Sequence, residues 1–390
     1  MKKDKNIIFI TMFLILTAFL NVVSFAANDS PALTVDAKSA VLIESSTGRV
    51  LFEKNPNERL APASVTKVMT ILLVYEAVEE EKVGWDDIVT VSEHASGMGG
   101  SQVYLEPMER QTVRDLVKCI VIASANDAAV AMAEFVAGSE ESFVDLMNKK
   151  AEELGMKDTH FVNACGLDDD NHYSSAYDIA LMSRELINRY PQALEYATVW
   201  QDTIMHKTAR GDEEFGLTNT NKLIKWYNGS TGLKTGSTGK ALFCLSASAK
   251  RDDMHLISVI MAAPTPSVRF QESMKMLDYG FANFKLAKGG DAGQKVGEIK
   301  VYKGKADLAD VAVKSQVAAV LPKGNTEELQ PELSINEFVS APVQAGQVVG
   351  EITYYHNGTV VGKSPLVTVL DVEKASLTDM LRKTTALWFE

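Results

Sequence analysis

Cysteine and histidine are both scarce in this 390-residue chain, which holds three of the first and six of the second. Three cysteines cannot all pair, and Cys119 and Cys244 lie in apolar runs, so we expect buried free thiols rather than a disulfide framework. The histidines form no H-E-x-x-H or comparable spacing, which argues against a catalytic zinc ion. We therefore expect neither a metal nor another cofactor.

Long apolar runs are also missing beyond the N-terminal segment. A helix that spans a membrane needs about 20 apolar residues, and no later segment has such a run. Three lysines among the first five residues precede an apolar stretch from Ile7 to Leu20, and small residues at positions 24 and 26 offer a cleavage site. This pattern predicts a signal peptide over residues 1–26, with an uncleaved anchor as the alternative. An exported protein is a poor candidate for ATP or NAD chemistry.

Positive charge is in deficit: 39 lysines and arginines face 51 acidic residues, for a formal net charge of -12. Such an acidic protein is a poor nucleic-acid binder. With 46% hydrophobic and 23% charged residues the chain is typical of globular proteins, and it is long enough for two domains.

Strand patterns lie at both ends of the first part of the chain, with helical patterns between them. Segments 40–44 and 49–52 predict a hairpin, and segments 241–249 and 256–262 predict two adjacent buried strands. The region between them shows apolar residues at helical spacing. We expect an α+β domain over residues 27–287, in which both chain ends contribute to one antiparallel sheet.

A glycine-rich stretch at 288–293 marks a domain boundary. Residues 294–370 are rich in Val, Ile and Tyr, and Asn357-Gly358 is a hairpin turn, so a small β-sandwich domain is expected there. Residues 371–390 predict an amphipathic helix. Its apolar face would carry Leu377, Met380, Leu381, Thr384, Leu387 and Trp388.

Three short motifs occur in a fixed order: Ser64-Val65-Thr66-Lys67, Ser124-Ala125-Asn126 and Lys234-Thr235-Gly236. Each arises by chance in many proteins. Together and in this order they form the S-x-x-K, S-x-N and K-T-G signature of serine acyl-transfer enzymes that react with penicillin.

Residues three apart share a helix face, so Ser64 can serve as nucleophile and Lys67 as its base. The lysine pKa must then fall from about 10.4 toward 7. Lys234, if about 4 Å away, would contribute on the order of 4 kcal/mol of repulsion, with burial adding to it. We expect Ser124 to relay the proton to the leaving amine, and the backbone N–H groups of Ser64 and Ser237 to form the oxyanion hole.

The remaining motif positions suit substrate binding. The Asn126 amide both donates and accepts, so it can hold a substrate peptide carbonyl and steady Lys67, although it could also cap the helix that follows. Lys234 and Thr235 suit an anionic group, and Gly236 lets an edge strand lie close to bound substrate backbone.

At these residues the chain resembles the D-alanyl-D-alanine carboxypeptidases, the low-molecular-mass penicillin-binding proteins. The resemblance extends over PASVTKVMT, SANDA, GLKTGST, the β-rich region and the terminal helix. It implies a penicillin-recognising transpeptidase/β-lactamase-like catalytic domain that removes the terminal D-alanine of peptidoglycan pentapeptide through a Ser64 acyl-enzyme. It also implies covalent inhibition by β-lactam antibiotics, a role for Arg269 at the terminal carboxylate, and attachment of the tail helix to the outer face of the cytoplasmic membrane.

Several alternatives stay open on sequence grounds. A β-lactamase would need a glutamate that activates water, and none is evident between the second and third motifs. A DD-endopeptidase or transpeptidase is compatible with the motifs, and a wall-binding scaffold with a vestigial site is the non-enzymatic alternative. The tail helix could pack on protein rather than on lipid. Ser237 stands where certain members carry histidine, which leaves the rate of acyl-enzyme hydrolysis open.

Overall fold

The computed structural model describes residues 33–208, 211–324 and 328–386, and side chains up to Lys383. The predicted signal peptide lies outside these residues, as do Leu387 and Trp388 of the predicted apolar helix face. Within the described residues, no helix has the length and apolar character needed to cross a membrane.

The first part of the chain is built on a five-stranded antiparallel sheet of order β2-β1-β9-β8-β7. The strands of this part are β1 (Ser39–Glu44), β2 (Val50–Lys54), β3 (Ile88–Thr90), β4 (Arg110–Thr112), β5 (Gln201–Thr208), β6 (Gly211–Thr218), β7 (Ser230–Thr238), β8 (Leu242–Arg251) and β9 (Met254–Ala263). Strands β3–β4 and β5–β6 form separate two-stranded pairs. The prediction that both chain ends share one antiparallel sheet is confirmed.

The helices of this part lie mostly between β2 and β7. They are α1 (Lys67–Glu79), α2 (Glu93–Ser96), α3 (Val113–Lys118), α4 (Asn126–Ala137), α5 (Glu140–Glu153), α6 (Ala176–Arg189), α7 (Ala193–Ala197), α8 (Leu223–Trp226) and, after the sheet, α9 (Pro266–Asn283). Short polar side chains begin several of them: the Ser175 hydroxyl, for example, accepts the Asp178 N–H at 3.1 Å and caps α6.

Two helices cover opposite faces of the sheet. Ser183 of α6 bonds Ser246 of β8 at 2.8 Å, whereas Ser273 of α9 bonds Ser258 of β9 at 3.0 Å. Ser246 pairs with Val259, so the neighbouring Ser258 points to the other face. With both faces covered, β1 is buried along its whole length. The three cysteines are buried and unpaired, as the apolar context of Cys119 and Cys244 predicts.

The second part of the chain is β-rich, as predicted. Its strands are β10 (Phe284–Lys288), β11 (Lys295–Tyr302), β12 (Leu308–Val313), β13 (Ala318–Pro322), β14 (Gln330–Ile335), β15 (Phe338–Ser340), β16 (Val348–His356) and β17 (Thr359–Thr368). Six of them form a sheet of order β14-β16-β17-β12-β11-β15, and β10 pairs with β13. Asn357 and Gly358 join β16 to β17 with φ angles of 49° and 73°, the left-handed values of the predicted hairpin turn.

A helix, α10 (Leu377–Ala386), closes the described chain. The Lys383 ammonium donates to the Gly304 carbonyl at 2.9 Å, which ties one side of the helix to the β-rich part. Leu377 and Leu381 are 77% and 60% exposed, so these two apolar side chains of the helix face outward, whereas Met380 is half-buried.

Candidate active site

Ser64 lies in a short 3-10 turn, Ala63–Thr66, that leads directly into α1. Side chains three residues apart nearly eclipse one another in such a turn. The Lys67 ammonium accordingly donates to the Ser64 hydroxyl oxygen at 3.1 Å. The hydroxyl and amine of the first motif therefore meet, through a tighter turn than the regular helix expected from the sequence.

Lys67 is completely buried. Its ammonium also donates to the Asn126 side-chain oxygen at 2.5 Å and to the Cys165 carbonyl at 2.7 Å. Burial lowers the pKa of Lys67 to about 8, because the charged form loses its hydration, while the negative charge of Asp127 acts in the opposite direction. A lysine with this pKa is about one-tenth neutral at pH 7, a far larger fraction than that of an ordinary lysine, and a general base requires the neutral form.

Lys234 of β7 is the second buried lysine, and its ammonium donates to the Thr235 carbonyl at 3.1 Å. Burial holds the pKa of Lys234 well below its ordinary value, and the positive charges of Lys67 and Arg269 act in the same direction. From the sequence we expected repulsion from Lys234 to lower the pKa of Lys67. Burial is instead the largest cause of the lowered pKa at both lysines. Two such coupled ammonium groups lose their protons in successive steps that belong to the pair.

Ser124 follows a π-helical turn, Cys119–Ala123, at the end of α3. Its φ is 62°, a left-handed conformation that is costly for a residue with a side chain. Strain of this kind is concentrated at functional sites. Ser124 is buried, and across the described residues its hydroxyl makes no hydrogen bond to Lys67 or Lys234.

Asn126 begins α4 and is held from two sides. Its side-chain nitrogen donates to the Gly99 carbonyl at 2.6 Å, and its backbone N–H donates to the Ser101 carbonyl at 2.7 Å. The next residue, Asp127, accepts the Val103 N–H at 3.2 Å with its buried carboxylate. This fixed loop orients the Asn126 oxygen toward Lys67, so Asn126 both starts a helix and contacts Lys67.

Gly236 lies directly against the Ser64 turn. A Cβ atom at Gly236 would stand 2.8 Å from the Pro62 carbonyl oxygen and 2.9 Å from the Ser64 nitrogen. Its neighbour Thr235 is buried, whereas Ser237 is exposed at the mouth of the site. The absence of a side chain at Gly236 therefore sets the distance between β7 and the Ser64 turn.

Gly236→Ala is expected to slow acylation by penicillin by about 100-fold, because a displacement of reacting groups by about 1 Å has a cost of that order. The measurement is the second-order labelling rate. Gly239→Ala is the matched control, since nothing lies within 4 Å of a Cβ there. Equal rates for the two variants would show that the close approach has no catalytic consequence.

Arg269 of α9 lies behind β7. Its guanidinium donates to the Gly236 carbonyl at 3.0 Å and packs over the Phe270 ring, with 4.8 Å to the ring centre. Burial lowers the pKa of Arg269. Its Nε is buried and has no hydrogen-bond partner in the described part of the chain. Arg269 thus adds a third positive charge beside the third motif.

The cations of the site have uncharged hydrogen-bond partners. Within the described ranges, the bonds of Lys67, Lys234 and Arg269 go to backbone carbonyls, a hydroxyl and an amide. Three cationic side chains thus lie near one another in a protein of net charge -12. Such an arrangement attracts an anionic group such as a carboxylate.

The sequence analysis missed a loop that supports Lys67. The Asn163 side-chain oxygen accepts the N–H groups of Gly166 at 2.6 Å and Leu167 at 3.1 Å, which closes a tight turn. This turn presents the Cys165 carbonyl to Lys67. The signal was present in the Asn-x-x-Gly pattern, and Gly166 has a φ of +87°.

Hydrogen bonds of His172 connect the same loop to the first motif. His172 accepts the Val162 N–H at its Nδ1 atom, so its Nε2 atom carries the proton and donates to the Thr66 hydroxyl at 2.8 Å. Burial lowers the pKa of His172 to about 4, which keeps the ring neutral near neutral pH.

The acidic run that follows Leu167 also makes protein contacts, since Asp168 accepts the Thr238 hydroxyl at 2.7 Å.

Two protein-family models match this chain. A family model described as D-alanyl-D-alanine carboxypeptidase matches residues 25–265, and one described as the C-terminal domain of penicillin-binding protein 5 matches residues 283–374. The D-alanyl-D-alanine carboxypeptidase DacF of Bacillus subtilis (strain 168) is 44% identical over 369 residues, 94% of each chain. DacC of Escherichia coli (strain K12) is 36% identical over 365 residues, 90% of this chain and 88% of that protein.

The crystal structure of penicillin binding protein 5 from Haemophilus influenzae superimposes with a TM-score of 0.74 at 33% identity, covering 87% of this chain and 98% of that one. The Streptomyces K15 DD-transpeptidase aligns with 64% of this chain at a TM-score of 0.60 and 28% identity. The predicted transpeptidase-like domain with a C-terminal β domain is thereby confirmed. The chain belongs to the D-alanyl-D-alanine carboxypeptidase family.

Proposed function

We propose that this protein is a serine-type D-Ala-D-Ala carboxypeptidase that removes the terminal D-alanine of peptidoglycan pentapeptide, with Ser64 as nucleophile and Lys67 as base. The observation that carries the proposal is the 3.1 Å contact between the Lys67 ammonium and the Ser64 hydroxyl, at a buried lysine whose pKa is lowered to about 8. A base must lie within hydrogen-bond reach of the proton it takes, and its pKa must lie near the working pH.

In the acylation step, neutral Lys67 takes the proton of the Ser64 hydroxyl. The serine oxygen forms a bond to the carbonyl carbon of the penultimate D-alanine, and the oxyanion is stabilised by the N–H groups of Ser64 and Ser237. The amide C–N bond then breaks, and the proton passes from Lys67 through Ser124 to the leaving D-alanine nitrogen. Water hydrolyses the resulting ester and restores Ser64.

The terminal carboxylate of the substrate would bind at Lys234 and Thr235, with Arg269 behind the strand, while Asn126 holds a substrate peptide group. This binding also decides which lysine keeps its proton. A carboxylate at Lys234 raises the pKa of that lysine, so the proton that the pair loses first comes from Lys67. Substrate binding would therefore generate the neutral base.

A β-lactam antibiotic presents a strained amide and a carboxylate in a similar arrangement. We propose that Ser64 opens the lactam ring by the same attack, with the ring nitrogen remaining attached to the acyl group. The C–N bond of the lactam breaks, and the proton taken from Ser64 passes to the ring nitrogen. Because this leaving group stays attached to the acyl group and within the site, the covalent penicilloyl-enzyme persists.

Product analysis tests the proposed reaction. We expect the protein to release free D-alanine from a pentapeptide that ends in D-Ala-D-Ala, detected by mass spectrometry. Cleavage of cross-linked dimers without D-alanine release would indicate an endopeptidase, and transfer to an added amine would indicate a transpeptidase. Rapid turnover of penicillin without a lasting adduct would indicate a β-lactamase.

We also propose that the protein is exported and that α10 rests on the outer face of the cytoplasmic membrane. The exposed Leu377 and Leu381 support a lipid-facing side, as in amphipathic interfacial helices. The charges of residues 373–390 cancel, so binding should depend little on salt. We expect the full chain to sediment with phosphatidylglycerol/phosphatidylethanolamine vesicles, and a chain ending at Asp371 to stay in the supernatant. Equal sedimentation would contradict anchoring by the helix.

A further inference from the structure

Thr220 lies beside the third motif, although no sequence pattern singled it out. The Thr235 hydroxyl donates to the Thr220 hydroxyl at 2.7 Å. Thr220 is half-buried and follows directly after β6, in a stretch that reads Asn219-Thr220-Asn221. Each hydroxyl carries one proton, so in this arrangement the proton of Thr235 is committed to Thr220.

The turn that carries Thr220 is rigidly held. The Thr220 N–H donates to the Ile122 carbonyl at 3.3 Å, which connects the turn to the segment just before Ser124. The Asn219 side chain donates to the Val199 carbonyl at 2.8 Å and accepts the Asn221 N–H at 2.9 Å. Both asparagines are buried. The Thr220 hydroxyl therefore has a fixed place between the second and third motifs.

A carboxylate bound at Lys234 and Thr235 accepts hydrogen bonds and donates none. Thr235 must then turn its proton away from Thr220 and toward the carboxylate. Thr220 can compensate, because a hydroxyl both donates and accepts, and its own proton can pass to the Thr235 oxygen. A hydroxyl that accepts such a bond becomes a stronger donor in turn.

We propose that Thr220 is a positioning residue that orients the Thr235 hydroxyl toward the terminal carboxylate of the substrate. The reversal of the Thr220–Thr235 hydrogen bond keeps the two oxygens paired in the free and the bound states. Thr220 thereby lowers the free-energy cost of presenting the Thr235 proton to the ligand. This inference rests on the proposed carboxypeptidase function.

The test is steady-state release of D-alanine by the full chain from a D-Ala-D-Ala peptide. Thr220→Val keeps the shape of the side chain but removes the hydroxyl. It should raise KM by about tenfold, because one hydrogen bond in a network that holds a charged group is lost. The value of kcat should change by less than about twofold. Thr220→Ser should return KM to within about twofold of wild type. Thr218→Val, an exposed threonine two residues earlier on β6, is the matched control and should leave KM unchanged.

A double-mutant cycle separates positioning from packing. In a Thr235→Val background, Thr220→Val should add no further rise in KM, because the hydroxyl it orients is gone. Additive effects, an unchanged KM, or failure of Thr220→Ser to rescue would overturn the inference. Ser64→Ala is run in parallel: if it abolishes release while Thr220→Val behaves as wild type, the proposed function stands and the inference fails.

Discussion

Replacing Ser64 with alanine is expected to abolish covalent labelling by fluorescent penicillin and to lower D-alanine release by a factor on the order of 10⁴ or more. The reason is that the acyl group has no other acceptor in the proposed reaction, while the lysines and the oxyanion donors stay in place. Labelling is measured on denaturing gels and release by mass spectrometry. The fold should survive, since the change removes one oxygen atom.

A matched variant controls for nonspecific acylation of surface hydroxyls. Ser334→Ala removes an exposed serine on β14, far along the chain from the three motifs, and should label as strongly as wild type. If Ser64→Ala and Ser334→Ala label equally, Ser64 is not the nucleophile. The proposed mechanism would then have to be abandoned, whatever the family membership.

Lys67→Met is expected to slow penicillin acylation by a factor on the order of 10³ or more, because the proton of Ser64 loses its acceptor. Methionine nearly preserves the volume of the buried side chain. It leaves the Asn126 oxygen and the Cys165 carbonyl without their ammonium partner, which costs about 1–3 kcal/mol for each group. Thermal unfolding measured beside the acylation rate separates this loss of stability from the loss of the base.

The pH dependence of acylation tests the proposed role of Lys67 as base independently of the substitution. The pKa of Lys67 is lowered to about 8, so the neutral base is lost as pH falls through that value. The wild-type rate should therefore rise as the pH increases through about 8, with an apparent midpoint that belongs to the Lys67–Lys234 pair, and it should fall about tenfold for each pH unit well below that midpoint. Lys149→Met, at an exposed lysine on α5, should leave this profile unchanged. A rate that is flat between pH 6 and 9 would contradict a basic role for Lys67.

Features with a local cause could be predicted from the sequence. The hairpin turn at Asn357-Gly358 needs two residues that tolerate positive φ, and the contact between Ser64 and Lys67 follows from a spacing of three. The α+β sheet followed from the order of strand and helix patterns. The first two features depend on residues that are close in the chain. The third depends on the order in which strand and helix patterns occur along it.

Features with a distant cause could not be predicted. The Lys67 ammonium donates to the backbone carbonyl of Cys165. Because every residue has a backbone carbonyl, the residue type at this position could not indicate the contact. The 3-10 turn at Ser64 is confined by Gly236 from another strand and by Gly166, whose Cβ would fall 1.9 Å from the Ala63 carbonyl oxygen. The parallel pairing of β15 with β11 likewise depends on packing between remote segments.

The pairing of β1 with β9 in the interior of the sheet has a consequence for the order in which the fold forms. Ala40 of β1 pairs with Ile260 of β9, so the first strand of this sheet to be synthesised pairs with the last one. Such remote pairing slows folding, because a long loop must close before its contacts form. A nascent chain that ends before Met254 contains Ser64 and Lys67 but lacks β9, the partner of β1. Ser64 and Lys67 are therefore synthesised early, whereas the sheet that contains β1 is completed only after β9 has been made.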